Sequence, residues 1–211
     1  MTVLYFFPEE LRTPWYMWEQ RWNEIQEIRL RVNCPVSIRT ISGERFLLNK
    51  EGERVIYSDR EMELIFRHLC HDSIYAYEEE RKQGYMTLTG GHRVGITGEV
   101  IRVEQGYIVK YIRYMNIRIA HEVVGIGESI REYMYDGGMP CNSLIISPPA
   151  AGKTTLLRDM VRMYADGNGQ YRGINVGVID ERGEIAGACR GSASLHCGIR
   201  TDIITGGNKR G

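Results

Sequence analysis

Neither sign of charge dominates this 211-residue sequence: lysine and arginine total 27, aspartate and glutamate total 27, and the formal net charge is zero. A neutral chain has no overall basic field to draw in nucleic acid or an anionic membrane surface, which leaves only a local basic patch for such a role. Long apolar runs are also missing. The longest, such as residues 144–146, fall far short of the roughly 20 residues needed to cross a bilayer. Residues 1–7 carry no basic segment, so the expectation is that nothing spans a membrane or exports the chain. Cysteine is sparse: Cys34, Cys70, Cys141, Cys189 and Cys197 are odd in number, scattered and without a C-x-x-C pair. This argues against a disulfide framework and fits a reducing cytoplasm. His68, Cys70 and His71, like the pair His196 and Cys197, lack the four-ligand spacing of structural zinc.

What is present is a sequence of switching periodicities. Thr13-Pro14 signals a helix start, and Trp15, Trp18, Trp22 and Ile25 recur at helical spacing as a core-facing stripe. From Ile28 the period becomes two, with Leu30, Val32, Val36 and Ile38 apolar and Arg29 and Arg31 between them, which predicts strands. Ser58 and Glu61 fit a capping box ahead of Met62, Ile65, Phe66 and Leu69, predicting a helix over about 59–70, with a second over 74–83. Residues 86–98 read as a hairpin around Gly90-Gly91, with further strands near 106–112 and 116–119. A helix is expected over 122–135, and the turn residues of 136–140 then mark a domain boundary. No internal repeat or low-complexity segment is visible.

The chemistry sits after that boundary. Residues 143–146 are a short apolar run, 147–154 read S-P-P-A-A-G-K-T, and Leu156, Leu157, Met160, Val161 and Tyr164 mark a following helix. Strand, loop and helix are the context of a phosphate-binding P-loop. The residues expected to hold ATP are Ser147, Pro148, Pro149, Ala150, Ala151, Gly152, Lys153, Thr154 and Thr155. Loop amides and a helix N-terminus face the phosphates, the Lys153 ammonium neutralises their oxygens, and the Thr154 hydroxyl ligates Mg2+. Ser147 stands where the first loop residue is normally glycine, so the turn is tolerated there only at negative φ. A second apolar strand through Ile174, Val176, Val178 and Ile179 ends in Asp180-Glu181-Arg182. Carboxylates at such a strand end face the phosphate site of open α/β sheets. Glu181 is the candidate to polarise the attacking water, with Lys153 as the other catalytic group and Asp180, beside Glu184, near the metal. A solvated charged turn is the alternative. Arg93 and Arg118 could reach a nucleotide across a subunit interface, but surface arginine is the reading favoured.

Several stretches together resemble the stage III sporulation AA family of secretion-ATPase-like proteins: I-Q-E-I-R-L-R-V-N over 25–33, S-I-Y-A-Y-E over 73–78, G-G-H-R-V-G-I over 90–96, N-I-R-I-A over 116–120, G-K-T-T-L-L-R-D over 152–159 and D-E-R-G-E-I-A-G over 180–187. Lys153 and Thr154 match that family's phosphate loop, Asp180, Glu181, Arg182 and Glu184 match its acidic strand end, and Ser147 departs from its glycine. The resemblance implies a cytoplasmic ATPase, similar to type II and type IV secretion ATPases, that assembles as a homo-oligomeric ring. It further implies action at the periphery of a membrane with other sporulation stage III membrane proteins.

The expected architecture is therefore an α+β N-terminal adaptor domain over 1–136, followed over 137–211 by an α/β P-loop NTPase domain of RecA-like type. That second domain is expected to be incomplete, because only three plausible strands follow Pro140 where such sheets have about five. In relatives a further strand ending in acidic residues supplies the Walker B element. The expected function is an ATP-hydrolysing motor subunit of a secretion-like envelope complex for endospore formation. Two other classes remain open. One is a nucleic-acid-dependent RecA-like ATPase, disfavoured because basic residues are dispersed among acids. The other is a nucleotide-binding interaction protein without hydrolysis.

Overall fold

The computed structural model describes residues 2–71, 73, 78, 81–103, 106–148, 151–168, 170–181, 183–187 and 195–205. They belong to two compact units, one of residues 1–88 with 92–120, the other of residues 89–91 with 121–211.

In the first unit the tryptophan segment is not one helix. Tight 3-10 turns at Thr13–Trp15 and Trp22–Glu24 flank a single α-helical turn, α1 (Tyr16–Glu19). Ile25 opens strand β1 (Ile25–Arg31), where it pairs with Thr40. The helical spacing of Ile25 was thus overridden by a ladder formed with distant residues. The stripe does serve the core: Trp15 and Trp18 are buried, Phe7 stacks on Trp15 with centroids 4.2 Å apart, and the Trp15 indole donates to the Tyr57 hydroxyl at 2.9 Å. Burial pushes the Tyr57 phenol up to about 12.

Strands β2 (Ser37–Thr40) and β3 (Gly43–Phe46) follow, then helix α2 (Asp59–Leu69) and strands β4 (Tyr85–Thr87), β5 (Arg93–Val103) and β6 (Gly106–Arg118). All pair antiparallel in the order β3-β2-β1-β6-β5-β4. Where sequence suggested two strands, β6 is continuous. Irregularities opposite Thr97/Gly98 and Glu99/Val100 let the long hairpin bend without breaking. A Cβ on Gly98 would lie 2.0 Å from the Tyr111 carbonyl oxygen, so only glycine allows that approach. Ile28, Leu30, Val94, Ile96, Met115 and Ile117 point to one buried face, where α2 adds Met62, Ile65, Phe66 and Leu69 to the same core. Most of the expected second helix lies outside the described residues; residues 81–83 are helical.

The second unit begins with a 3-10 helix (Ile126–Met134), not the expected α-helix. Gly125, at φ 90°, supplies no side-chain cap, and the Gly127 amide donates to Asp159 at 2.7 Å, fixing the first turn from outside. A two-residue ladder joins β7 (Tyr135–Asp136) to β8 (Met139–Pro140). Helix α3 (Lys153–Asp166) precedes the parallel strands β9 (Val176–Asp180) and β10 (Thr201–Thr205). Val161 of α3 packs with Val178, Ala186 and Cys197. The units divide after Ala120, ahead of the expected boundary at 136–140, because the 3-10 helix packs on α3, where Tyr164 also donates to the Met134 carbonyl at 3.2 Å. Residues 143–146 form no ladder among the described residues, and Leu144 and Ile146 are 82% and 81% exposed. An apolar run alone does not make a strand without a partner edge.

The capping box on α2 formed as read: the Ser58 amide donates to the Glu61 carboxylate at 2.8 Å, and the Glu61 amide approaches Ser58 Oγ at 3.4 Å. Ser58→Ala is expected to cost about 1 kcal/mol, read as a lower urea midpoint with an unchanged slope.

Candidate functional site

Gly152 takes the left-handed conformation, φ 87° and ψ 12°, immediately before α3, and its carbonyl accepts the first helical hydrogen bond from Leu156 at 2.9 Å. Any other residue would be strained there. The turn aims Lys153 back over the loop. Its ammonium donates to the Ser147 carbonyl at 2.7 Å, to Ser147 Oγ at 3.2 Å and to the Pro148 carbonyl at 2.9 Å. Three acceptors match the three donors of an ammonium. Ser147 is not among the residues with positive φ, so its Cβ is accommodated as expected for a negative-φ turn. Pro149 and Ala150 lie outside the described residues. Ala151 is exposed, and Thr154 and Thr155 are half-buried in the first turn of α3.

A cleft of about 310 Å³ lies beside this turn, lined by Ile145, Lys153, Thr154, Asp180, Glu181 and Glu184, among others. Lys153 and Thr154 and the acidic strand end, separate in sequence, thus share one concavity. Asp180 is buried, and its role is partly structural. Oδ1 accepts the Glu184 amide at 3.0 Å, while Oδ2 accepts the amides of Ile185 and Ala186 at 2.9 and 3.0 Å. Glu181 is exposed. Among the described residues no three His, Cys, Asp or Glu side chains group as a metal site.

Sequence reading missed Arg158 and Asp159, which are buried on α3. Arg158 donates to the carbonyls of Ile185 at 2.5 Å and Glu184 at 2.6 Å, with a longer contact to the His121 carbonyl at 3.4 Å. Residues 184–186 are thus held twice, by Asp180 through their amides and by Arg158 through their carbonyls. Burial lowers the Arg158 pKa, opposed by Cys197, Glu122 and Asp180. For Asp159, burial would raise the pKa. The amides of Gly127 and Gly125 and the Arg162 guanidinium, 2.7 Å away, outweigh it and hold the carboxyl below its ordinary value. The sequence signal was charge inside a helix marked by its apolar residues, one of which, Leu157, is 37% exposed.

The family described as Sporulation stage III, protein AA matches residues 8–210. Stage III sporulation protein AA of Bacillus subtilis (strain 168) is 41% identical over 188 residues, covering 88% of this chain and 59% of that protein. The chain therefore spans less than two thirds of that relative's length. Among solved structures, the Legionella pneumophila ATPase DotB aligns with a TM-score of 0.47 at 14% identity, over 94% of this chain and 52% of DotB. The pilus retraction motor PilT with bound ADP aligns with a TM-score of 0.45 at 12% identity, over 86% of this chain and 47% of PilT.

Asp180→Ala would leave three amides without their acceptor. At about 1–3 kcal/mol for each buried unsatisfied group, a loss of about 3 kcal/mol or more is expected in chemical unfolding. Asp159 predicts a pH dependence. Because its folded pKa is depressed, its contribution is complete above the unfolded value near 3.9 and is lost as pH falls through the folded value. Urea midpoints measured from pH 6 down to about 3 should fall, and Asp159→Asn should flatten that fall.

Proposed function

Because the chain belongs to the sporulation stage III protein AA family, we propose that its second unit is the phosphate-binding part of a P-loop ATPase domain that takes Mg-ATP. One observation carries the reading: the cleft brings Lys153 and Thr154, at the start of α3, together with Asp180 and Glu181, at the end of β9.

The residues fit such a ligand. Lys153, already turned to oxygens at the loop mouth, would neutralise phosphate charge, helped by the loop amides and the positive end of α3. Thr154 would offer its hydroxyl to Mg2+, and bound Mg2+ would supply charge neutralisation on the phosphate oxygens. Asp180, whose oxygens accept three amides and so keep its loop in place, would be the acidic residue offered toward the metal. Glu181 is the candidate to orient the attacking water, and Glu184 the second acidic group at the cleft.

In this reading the whole protein is a motor subunit of RecA-like type, working as a homo-oligomeric ring at the cytoplasmic periphery of a membrane with other sporulation stage III membrane proteins. Among the described residues no helix is long and apolar enough to cross a membrane. Hydrolysis is part of this proposal.

Ligand that binds only the native state raises stability by mass action, about 2.7 kcal/mol at one hundred times Kd. Saturating Mg-ATP is therefore expected to raise the melting temperature of this chain, and Lys153→Ala to abolish the rise. An equal rise in both proteins would refute the assignment.

A further inference from the structure

The sheet of the first unit has a second face, opposite the core. Period-two alternation puts Ile28 and Leu30 inside and Glu27, Arg29 and Arg31 on the other side. Register aligns these with residues from distant stretches. Arg29 stands between Ser37 and Asn116, and Asn116 faces Gly95; Arg31 faces Tyr114, which faces Thr97. Two neighbouring cross-strand rows thereby enclose a cleft of about 350 Å³ lined by Arg29, Arg31, Gly95, Thr97, Tyr114 and Asn116.

The cleft exists because Gly95 has no side chain. A Cβ there would meet nothing within 4 Å, so the floor is bare backbone. The Tyr114 ring, 54% exposed, stands at its edge. The two arginines differ. Arg29 is held by the Glu27 carboxylate at 2.9 Å, whereas Arg31 makes no side-chain hydrogen bond or ion pair among the described residues. Asn116 is also half-engaged. Its Oδ1 is buried with no partner among the described residues, while the side chain helps hold the Glu27 carboxyl below its ordinary pKa.

Those two groups define what would fit. Arg31 calls for an anion with two acceptor oxygens. Asn116 Oδ1 calls for a donor, and a buried acceptor left unmade is costly. A DNA backbone brings acceptors only, and inorganic phosphate, though its P–OH can donate, has nothing to pack on the Tyr114 ring. A peptide with an acidic side chain brings both, a carboxylate and a backbone N–H, while Tyr114 offers a ring to pack on and Gly95 a place for chain to approach closely. Arginine and tyrosine are also the residues that protein interfaces favour. We propose that this sheet face binds an acidic peptide segment of a partner protein, its carboxylate on Arg31 and its N–H on Asn116.

The probe is a fluorescein-labelled peptide of alternating glutamate and alanine, followed by anisotropy in about 50 mM salt, where screening is weak. Saturable binding is expected, weakened about tenfold or more by Gly95→Val and by Arg31→Gln, and absent for the matching glutamine peptide. Valine suits a strand interior and has open space at residue 95, so the melting temperature should hold. If it does not, Arg31→Gln decides. Lys153→Ala should bind the peptide as well as the parent chain, which keeps this test separate from the nucleotide reading. Equal binding of the glutamine peptide, no saturable binding, or indifference to both variants would overturn the proposal. So would tighter binding of a labelled oligothymidylate with the same dependence on residues 31 and 95, which would assign the face to nucleic acid.

Discussion

The second unit depends on how two buried ions are satisfied. Asp180 and Arg158 do not answer each other directly; each answers backbone dipoles of residues 184–186, the carboxylate through three amides and the guanidinium through two carbonyls. Taking a charge out of water costs several kcal/mol unless every polar contact is replaced, and a loop offering both amides and carbonyls replaces them for both ions at once. The same contacts fix that loop from two sides. Glu184 therefore sits at the cleft on backbone held from both sides, although residues 184–186 are neither helix nor strand.

A further constraint comes from Gly152. Its left-handed turn reverses the chain so that Lys153 reaches the oxygens of residues six and five positions earlier. The ammonium and the first turn of α3 then share one region of space, and positive charge is concentrated where the helix dipole already favours anions. Ser147 does not disturb this, because the turn needs positive φ at Gly152 and not at the first loop residue. The departure from glycine is thus a local matter of side-chain volume, and its hydroxyl adds an acceptor for Lys153.

What was legible in the sequence was local. The capping box of α2 closes between Ser58 and Glu61, three residues apart, and so could be read without knowing the fold. The glycine-lysine-threonine turn and the alternation of β1 are likewise short-range, as were the hairpin glycines. What could not be read depended on partners far along the chain. Ile25 kept helical spacing yet joined a ladder with Thr40. Residues 126–134 kept an apolar helical pattern yet wound as a 3-10 helix, with Gly127 bound to Asp159. Arg158 is polar by composition and buried by tertiary context, since its acceptors lie 26 and 27 positions away. Periodicity weighs apolar against polar, so it places a buried ion on the wrong side of a helix.

The face of the first unit's sheet follows from the opposite logic, because there the alternation was read correctly but only the register gives it meaning. The sequence places Arg29 and Arg31 outward; it does not say that Asn116 and Tyr114 lie directly across from them, nor that Gly95 opens the floor. A face that needed only solubility would be served by lysine and glutamate, whose charges stay hydrated. Here Glu27 is 8% exposed and holds Arg29, which orders a neighbour of the cleft while, among the described residues, Arg31 and the Asn116 acceptor oxygen stay uncommitted. Burial alone would raise the Glu27 pKa, yet the Arg29 and Asn116 hydrogen bonds bring it below its ordinary value, so the carboxylate stays ionised and that order persists at neutral pH. A surround with a cation and an acceptor that are unspent among the described residues is the arrangement that discriminates ligands by donor pattern as well as by charge, since a ligand lacking a donor must leave Asn116 Oδ1 desolvated and unpaired.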